Sequence, residues 1–439
     1  MRRNWAWPWW GILLLWPWCV WPQAARKTLA RVEDPVVLGG ALLESLAGVE
    51  LADLNLFSCA GSACRPIPFQ VDKRDAEGHY VFTNDSLRPA GRDGTRLDAN
   101  DELVFMAADA GDRADGPARF PGAKRVTEIK LGDPRSPAAG WVYAAEAPGT
   151  ERSREDYIQF VQQGSRLEIQ TPLYQRILEI GKPGSSAKGV MRLRRPDGSW
   201  GEDVLDTFIA GMYVQFLRVA VPIAYPEYLV RERVIGAIDG PVRLVMGAVR
   251  VIYIGPISFQ FGTEVVSYNY RNQGTARVDA VLPFSPRTLA RSAYTYWGID
   301  FTEAVLGSQY YDPAQSGPVM IDGKVEKAPE LKTDHDWWAL SGPQGAIMDV
   351  IILDPKLGEL VVRGGLLEEK PEQASEKEEH PGSPRIGFGL LYFEKLDKGA
   401  YHWNTYHFFP HPFSRAKAEE FLDLILHPLR VTAAPLVPG

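Results

Sequence analysis

The sequence predicts a mainly β protein, built from antiparallel β-sandwich domains and followed by one C-terminal helix. Three observations predict this class. Short apolar runs alternate with polar residues at the two-residue period of a half-buried strand. Turn signals rich in Gly, Pro, Asn and Asp separate these runs, in a chain with 41 Gly and 34 Pro. Helical periodicity is convincing only near the C-terminus.

The first 25 residues predict export. Two arginines precede an apolar run centred on GILLLW, and two alanines follow it. A basic start, an apolar centre and a small-residue exit are typical of a signal peptide, here residues 1–25. Gln23 occupies a position where cleavage favours a small residue, so an uncleaved membrane anchor is the alternative. We therefore expect a periplasmic or extracellular protein, with no transmembrane helix beyond this segment.

Residues 26–147 are predicted to form a small N-terminal β domain with an acidic loop. Its centre is the stretch 67–112, where two short strands lead into a loop crowded with Asp, Asn and Gly. Cys59 and Cys64 precede this stretch, and two cysteines so close in an exported chain most simply form a local disulfide. Half of a metal site is the competing interpretation, although only His79 lies near enough to contribute.

The acidic loop is also a candidate calcium site. A hard cation such as Ca²⁺ requires oxygen-bearing side chains at short spacing around a glycine. The spacing differs from that of an EF-hand, and the alternative is a turn in which Asp and Asn bond their own backbone. Bound calcium would stabilise the fold, and no organic cofactor is expected because the phosphate-binding and haem motifs are missing. The candidate ligands are Asp93, Asp98, Asn100, Asp101 and Glu102.

Residues 157–439 are predicted to form a large β-sandwich domain. Strand-like runs recur between turns, and in RLVMGAVRVIYIG the alternation favours one buried face. Residues 368–384 are almost entirely polar and charged, so we expect a mobile loop there. Ser414 is a favourable N-cap for a helix over residues 415–427, whose apolar side chains share one face.

The segment KTDHDWW contains the first candidate site for a sugar ligand. His335 lies between two aspartates, which would orient it as a base. Trp337 and Trp338 follow it and offer flat faces on which a sugar ring can stack. The alternative is a surface turn that leads into a strand whose tryptophans belong to the core.

The segment AYHWNTYHFF contains the second candidate site. Strand alternation places His402, Asn404 and Tyr406 on one face, and Trp403 is a further candidate for sugar binding. Aromatic rings with short polar groups suit a hydroxyl-rich ligand, so this face is predicted to line a carbohydrate groove. A β-elimination on a uronide needs a base and a group that neutralises the carboxylate, and these residue types are present.

Arginines recur along the predicted strands, and Arg231 and Arg233 are candidates for binding an acidic glycan. A guanidinium pairs with a carboxylate through two hydrogen bonds, which suits a uronic acid polymer. The alternative is that these arginines lie at the solvent-facing ends of sandwich strands. The formal charge is -7 and no Lys/Arg-rich stripe is present, so nucleic acid is not an expected partner.

Two segments resemble known groups of proteins. The sequence IPFQVDKRD followed by LDANDELVFMAADAGD resembles the N-terminal segments of exported, β-rich bacterial proteins that are mostly uncharacterised. The later strands resemble the large sandwich domains of polysaccharide lyases and sugar-processing proteins. The first resemblance implies export without an activity, and the second implies glycan handling.

The sequence therefore predicts an exported protein that binds or cleaves polysaccharide, with acidic glycans as a candidate class. The alternative is a non-catalytic protein of the cell envelope, structural or engaged in protein contacts, and stabilised by calcium. The expected partner is accordingly a polysaccharide or an envelope protein. Whether the protein is an enzyme stays open at this point.

Overall fold

The computed structural model has the predicted fold class. The described part of the chain is mainly β, with antiparallel sheets and one α-helix near the C-terminus. In that part, no helix is both long enough and apolar enough to cross a membrane. The signal peptide up to residue 24 and the expected mobile loop over 369–382 lie outside it and stay predictions. The described residues are 25–82, 94–179, 189–216, 223–225, 230–254, 257–323, 335–357, 361–368 and 383–437.

The N-terminal part of the chain forms two antiparallel sheets around one apolar core. The first sheet consists, in spatial order, of β1 (Pro35–Gly39), β5 (Glu102–Met106) and β4 (Gln70–Asp72). The second consists of β26 (Arg430–Pro435), β6 (Arg125–Gly132), β7 (Ala139–Glu146), β2 (Leu54–Ala60) and β3 (Ala63–Pro66). Strand β7 is buried along almost its whole length, as its continuous apolar sequence AGWVYAAE requires.

The edge strand β26 comes from the opposite end of the chain. It pairs antiparallel with β6, beginning with Arg430 opposite Gly132. The local pattern does not predict this strand, because RVTAAP is short and its apolar residues are mostly small. The second sheet thus uses both ends of the chain, which the predicted ranges 26–147 and 157–439 did not anticipate.

A disulfide closes the hairpin of β2 and β3. Cys59 and Cys64 lie opposite each other in the register, and their sulfur atoms are bonded, as the spacing predicts. Cys59 is buried in a small cluster with Phe57, Phe120 and Tyr143. The disulfide therefore connects the outermost strand of this sheet to its aromatic core.

The large unit is a sandwich of two antiparallel sheets with a shared core. The nine-stranded sheet consists, in spatial order, of β14 (Val230–Asp239), β15 (Arg243–Ile254), β16 (Ile257–Tyr270), β17 (Gln273–Leu282), β25 (Gly399–Phe408), β22 (Gly345–Leu353), β21 (His335–Gly342), β19 (Gln309–Tyr311) and β20 (Val319–Met320). The five-stranded sheet consists of β13 (Ile223–Tyr225), β12 (Leu205–Phe216), β18 (Ala290–Phe301), β24 (Pro384–Leu391) and β23 (Val361–Glu368).

Side-chain alternation gives the nine-stranded sheet two different faces. Leu244 and Met246 of β15 enter the core between the two layers of the sandwich. Val245 and Val249 of the same strand pack instead against Phe82 of the N-terminal unit. We call this second side of the nine-stranded sheet the outer face. The predicted alternation is confirmed over residues 243–249, but the single buried face expected there is corrected, because the side chains on both faces of this stretch are buried.

A four-stranded sheet extends the core of the sandwich. Its Tyr174 is buried, stacks on Phe409 with ring centroids 4.0 Å apart, and donates a hydrogen bond to the carbonyl of Tyr270 at 3.0 Å. Its strands are β11 (Gly189–Leu193), β10 (Tyr174–Glu179), β9 (Arg166–Gln170) and β8 (Gln159–Gln163). Short 3₁₀ helices occupy Gly40–Leu46, Leu51–Asp53, Ala107–Asp109, Pro117–Arg119, Pro286–Thr288, Glu303–Val305, Pro355–Leu357 and Phe393–Lys395.

Helix α1 (Arg415–Leu426) covers part of the outer face. Ser414 caps it as predicted, because its hydroxyl accepts a hydrogen bond from the backbone N–H of Lys417 at 3.2 Å. Phe421 is buried and stacks on Phe408 of β25, with ring centroids 4.3 Å apart. The helix therefore shields the β21, β22 and β25 side of the outer face, and the N-terminal unit shields the β15 and β16 side.

Candidate functional site

Between these two covers, the outer face exposes a row of polar side chains on β17 and β25. In the register of this pair, Asp279 lies opposite His402 and Arg277 lies opposite Asn404. Directly opposite residues project from the same face of a sheet, with Cβ atoms about 5 Å apart. The predicted common face of His402, Asn404 and Tyr406 is thereby confirmed. We call this group the polar strip: Thr275, Arg277, Asp279, Asp354, His402, Asn404 and Tyr406.

An aspartate just beyond the end of β22 orients the imidazole of His402. The Nδ1 atom of His402 lies 2.9 Å from Oδ2 of Asp354. Asp354 is itself fixed, since its other oxygen accepts the backbone N–H of Lys356 at 3.0 Å. The Asp354 side chain is 6% exposed and that of His402 is 44% exposed. The pair therefore presents an oriented imidazole to solvent, with Nε2 available to a ligand.

Arg277 and Asp279 neutralise each other on the strip. The Nε atom of Arg277 lies 3.0 Å from Oδ2 of Asp279, and Nη2 lies 3.1 Å from Oδ1. This hydrogen bonding raises the pKa of the Arg277 guanidinium, which stays charged at any physiological pH. A ligand carboxylate would therefore have to compete with Asp279 for this arginine.

The remaining members of the strip differ in how open they are. Among the described residues, the side chains of Asn404 and Thr275 have no hydrogen-bond partner, and both are partly exposed. Tyr406 is partly buried beside Phe408, and burial, together with the neighbouring Tyr270, raises the pKa of its phenol. Tyr406 also lines a cavity of about 270 Å³ that extends toward β1 and the end of α1. The open part of the strip is thus centred on His402 and Asn404.

Three tryptophans predicted to bind sugar are core residues. Trp338 is fully buried and packs edge-on against Phe301, with ring centroids 6.1 Å apart. Trp403 is buried and stacks on Trp297 at 5.7 Å. Trp337 faces the other way but is buried under helix α1. The stacking role assigned to them from the sequence is corrected, because none presents an open ring face.

The other predicted sugar-site residues lie at different distances from the strip. The backbone of His335 pairs with Ile352, which in turn pairs with Asn404, so His335 lies about 10 Å from Asn404. Arg233 is exposed on β14, four strands from β25 and roughly 19 Å away. The side chains of His335 and Arg231 lie outside the described part of the structure. Arg233 therefore does not belong to the strip.

In the acidic loop, lysine and arginine side chains form ion pairs with the predicted calcium ligands. The ammonium of Lys73 lies 2.9 Å from Asp98 and 2.7 Å from Asp101. The backbone N–H of Asn100 donates to Asp98, which is the local turn foreseen as the alternative. Burial raises the pKa of the Asp101 carboxyl, and the hydrogen bond from Lys73 opposes that shift. Glu102 pairs with Arg74 and Arg243, whereas Asp93 lies outside the described residues.

Calcium binding at this loop was predicted from the sequence, and the contacts of Lys73 make the local turn the expected alternative. Among the described residues, no group of three or more His, Cys, Asp or Glu side chains is arranged to hold a metal ion. Because Lys73 already balances Asp98 and Asp101, millimolar Ca²⁺ should shift the melting temperature by less than about 1 °C relative to chelator. Scanning calorimetry measures this shift. A rise of several degrees with Ca²⁺ would contradict the expectation and favour a bound ion.

A buried cationic centre and four of the seven residues of the polar strip were not predicted from the sequence. Arg243 is 2% exposed and lies 2.7 Å from Asp72 and 2.6 Å from Glu102. One signal was available, since Arg243 alternates onto the same face as the apolar Val245. Asp279 and its neighbours on β17 alternate in ARVDAV, but their pairing with β25 spans more than a hundred residues and leaves no local signal.

Comparisons with known proteins find structural neighbours but no sequence relatives. No family model and no curated protein matches the chain. An α-mannosidase from Enterococcus faecalis V583 aligns over 95% of this chain, with 9% identity and a TM-score of 0.44. A glycosyl hydrolase family 38 protein from Enterococcus faecalis aligns over 94%, with 8% identity and a TM-score of 0.42. The chain spans 45% and 46% of those two chains, and similarity at this level assigns neither family nor activity.

Proposed function

We propose that the protein is exported and binds polysaccharide along the polar strip. The observation that carries the proposal is the His402–Asp354 pair, which places an oriented imidazole on the outer face. Helix α1 covers this face on one flank of the pair and the N-terminal unit covers it on the other. Beside the pair, Asn404 and Thr275 offer one amide and one hydroxyl that can each donate and accept hydrogen bonds. Such a mixture on an open surface suits a ligand rich in hydroxyl groups. The leader-like first 25 residues support export.

The strip supports binding better than it supports β-elimination. Elimination requires a solvent-accessible base and a free cation that neutralises the uronate carboxylate. Tyr406 is a poor base here, because it is partly buried and burial raises the pKa of its phenol. Arg277 is already paired with Asp279. His402 alone has the exposure and orientation of a base, and it lacks a free cationic partner among the described residues.

The charge of the strip favours neutral glycans over acidic ones. Two carboxylates, Asp279 and Asp354, stand against one guanidinium, Arg277, and the ionisable imidazole of His402. A polyuronate would bring further negative charge close to both aspartates, at a cost that grows as water is excluded. The hydroxyls of a neutral sugar can instead donate to these oxygens, which are strong acceptors.

Affinity electrophoresis with immobilised polysaccharides tests this function. A neutral β-glucan or mannan should retard the wild-type protein more than a polyuronate does. Replacing His402 or Asn404 with alanine should weaken binding about tenfold each, the effect of one lost hydrogen bond of about 1.4 kcal/mol. The matched control is His427→Ala, because His427 is 46% exposed and its Nδ1 lies 2.9 Å from Asp423. It should bind like the wild type.

Several results would contradict the proposal. Retardation that is equal in His402→Ala, Asn404→Ala and His427→Ala would place the glycan elsewhere on the molecule. A failure of every neutral and acidic polymer to retard the wild type would favour the non-catalytic envelope role. Appearance of unsaturated sugar product would instead show that the strip is a lyase site.

A further inference from the structure

We propose that one end of the sandwich is a docking surface for anionic lipid bilayers. Two connections, taken with the strand ends beside them, meet there: residues 281–294, from the end of β17 into β18, and residues 390–398, from the end of β24 to the start of β25. The hydroxyl of Ser285 donates to the carbonyl of Leu396 at 2.7 Å, and Arg287 forms an ion pair with Asp397. The two connections therefore form one continuous surface, which we call the aromatic end.

The aromatic end concentrates the exposed apolar side chains of the described residues. Its members are 36–51% exposed, whereas a typical surface carries such side chains singly. All three aromatic residues among the exposed large apolar side chains of the described chain lie here. An exposed cluster of this kind marks an interaction site. Its members are Val281, Phe284, Leu289, Tyr294 and Tyr392.

Tyr392 adopts a left-handed backbone conformation that is sterically unfavourable for a residue with a large side chain. Its φ is 65°, and it is the one residue other than glycine with positive φ in the described part of the chain. A bulky residue is strongly disfavoured in this left-handed region. The conformation exposes the ring, and the ammonium of Lys395 lies 4.1 Å from the ring centroid. Such local strain is retained mainly where function requires it, here the display of an aromatic ring beside a cation.

The charge of the aromatic end identifies an anionic bilayer as its partner. The two connections contain four cations and two carboxylates, a net charge of +2, on a chain whose formal charge is -7. Tyrosine is enriched at the boundary between lipid and water, and nearby Lys and Arg attract anionic headgroups. Buried apolar area and electrostatic attraction together strengthen contact with an anionic bilayer, and the aromatic end offers both. The cations are Arg287, Arg291, Lys395 and Lys398, and the carboxylates are Glu394 and Asp397.

Co-sedimentation with vesicles tests this surface on the full chain. Vesicles of phosphatidylcholine with phosphatidylglycerol should sediment the protein, and added salt or pure phosphatidylcholine should reduce the sedimented fraction several-fold. Tyr392→Gly removes the ring yet suits the positive φ, so it should bind several-fold more weakly with unchanged or higher melting temperature. Phe284→Ser should also bind more weakly. Val161→Ser, equally exposed on β8, is the control and should bind like the wild type.

The variants and the wild type share the same N-terminus, so a difference among them arises from the aromatic end. Equal sedimentation of Tyr392→Gly, Phe284→Ser and the wild type would overturn the proposal. A wild type that self-associates without vesicles, and a Tyr392→Gly variant that does not, would assign the surface to a second copy of the chain and also overturn it. Neither result bears on glycan binding by the polar strip, which has its own readout.

Discussion

Replacing Arg243 with methionine should lower the free energy of unfolding by about 3–5 kcal/mol. Arg243 of β15 lies between two carboxylates of the N-terminal unit, and its guanidinium is 2.7 Å from Asp72 and 2.6 Å from Glu102. Methionine has a similar volume but no charge, so the buried Asp72 loses its cation, whereas Glu102 keeps its ion pair with Arg74. The cost comes mainly from the uncompensated charge of Asp72 and less from the lost attraction.

The surroundings of Arg243 explain why water cannot replace it. Its Nη1 donates to the hydroxyl of Tyr270 at 3.0 Å, and its backbone N–H donates to the side chain of Gln70 at 2.8 Å. The Gln70 side chain lies so close to Gly240 that a Cβ there would stand 2.4 Å from it. Polar groups of the N-terminal unit are therefore fixed against the outer face at several points. Replacing the guanidinium removes the bonds to Asp72, Glu102 and Tyr270 together, whereas the backbone bond to Gln70 does not depend on the side chain.

Urea unfolding curves measure this loss, with Arg113→Met as the matched control. Arg113 also pairs with a glutamate, Glu128 at 3.0 Å, but its side chain is 53% exposed. Its replacement should leave the unfolding midpoint nearly unchanged. Adding Asp72→Asn to Arg243→Met should recover part of the loss, because a neutral amide is less costly to bury. A change at Arg243 no larger than at Arg113 would show that the network does not hold the two units together.

Replacing Phe421 with alanine should destabilise the protein by about 3–5 kcal/mol. Phe421 is the main anchor of helix α1, since it is buried and stacks on Phe408 at 4.3 Å. Without the ring, the helix loses its principal contact and the outer face near Trp337 becomes accessible to water. The same urea curves measure the effect, and tryptophan fluorescence should shift to the red at lower urea.

Leu426→Ala is the control for the helix. Leu426 belongs to the same helix, but it is 44% exposed at its C-terminal end. Its truncation should change the free energy of unfolding by no more than about 0.5 kcal/mol. Equal effects at Phe421 and Leu426 would mean that the helix rests on the sheet without a buried anchor. The outer face would then lack the cover that confines the open surface to the polar strip.

Local sequence patterns predicted the structural features that depend on interactions between residues close together in the chain. Alternation along β25 placed His402 and Asn404 on one face, and the Ser414 cap identified the start of the helix. Close spacing identified the disulfide between Cys59 and Cys64. In each case the residues that interact are near one another in sequence, so the pattern contains the contact.

The rest of the structure depends on pairings between distant segments. Trp337 and Trp338 were interpreted as sugar platforms because alternation cannot show that both faces of β21 are covered. The partners of Arg243 lie about 140 to 170 residues earlier in the chain. Asp354 and Asp279 reach His402 only because β22 and β17 both pair with β25. A sequence pattern shows which residues are polar, whereas the sheet order decides which of them meet.

Imidazole NMR signals of the seven histidines, followed during titration with a neutral oligosaccharide, test glycan binding at the polar strip most directly. His402 and His427 each lie 2.9 Å from an aspartate and are similarly exposed, so His427 serves as the reference signal away from the polar strip. We predict a saturable shift of the His402 signal with no shift of the His427 signal. Shifts of equal size at both histidines, or a His402 signal that does not move at saturating ligand, would contradict the account.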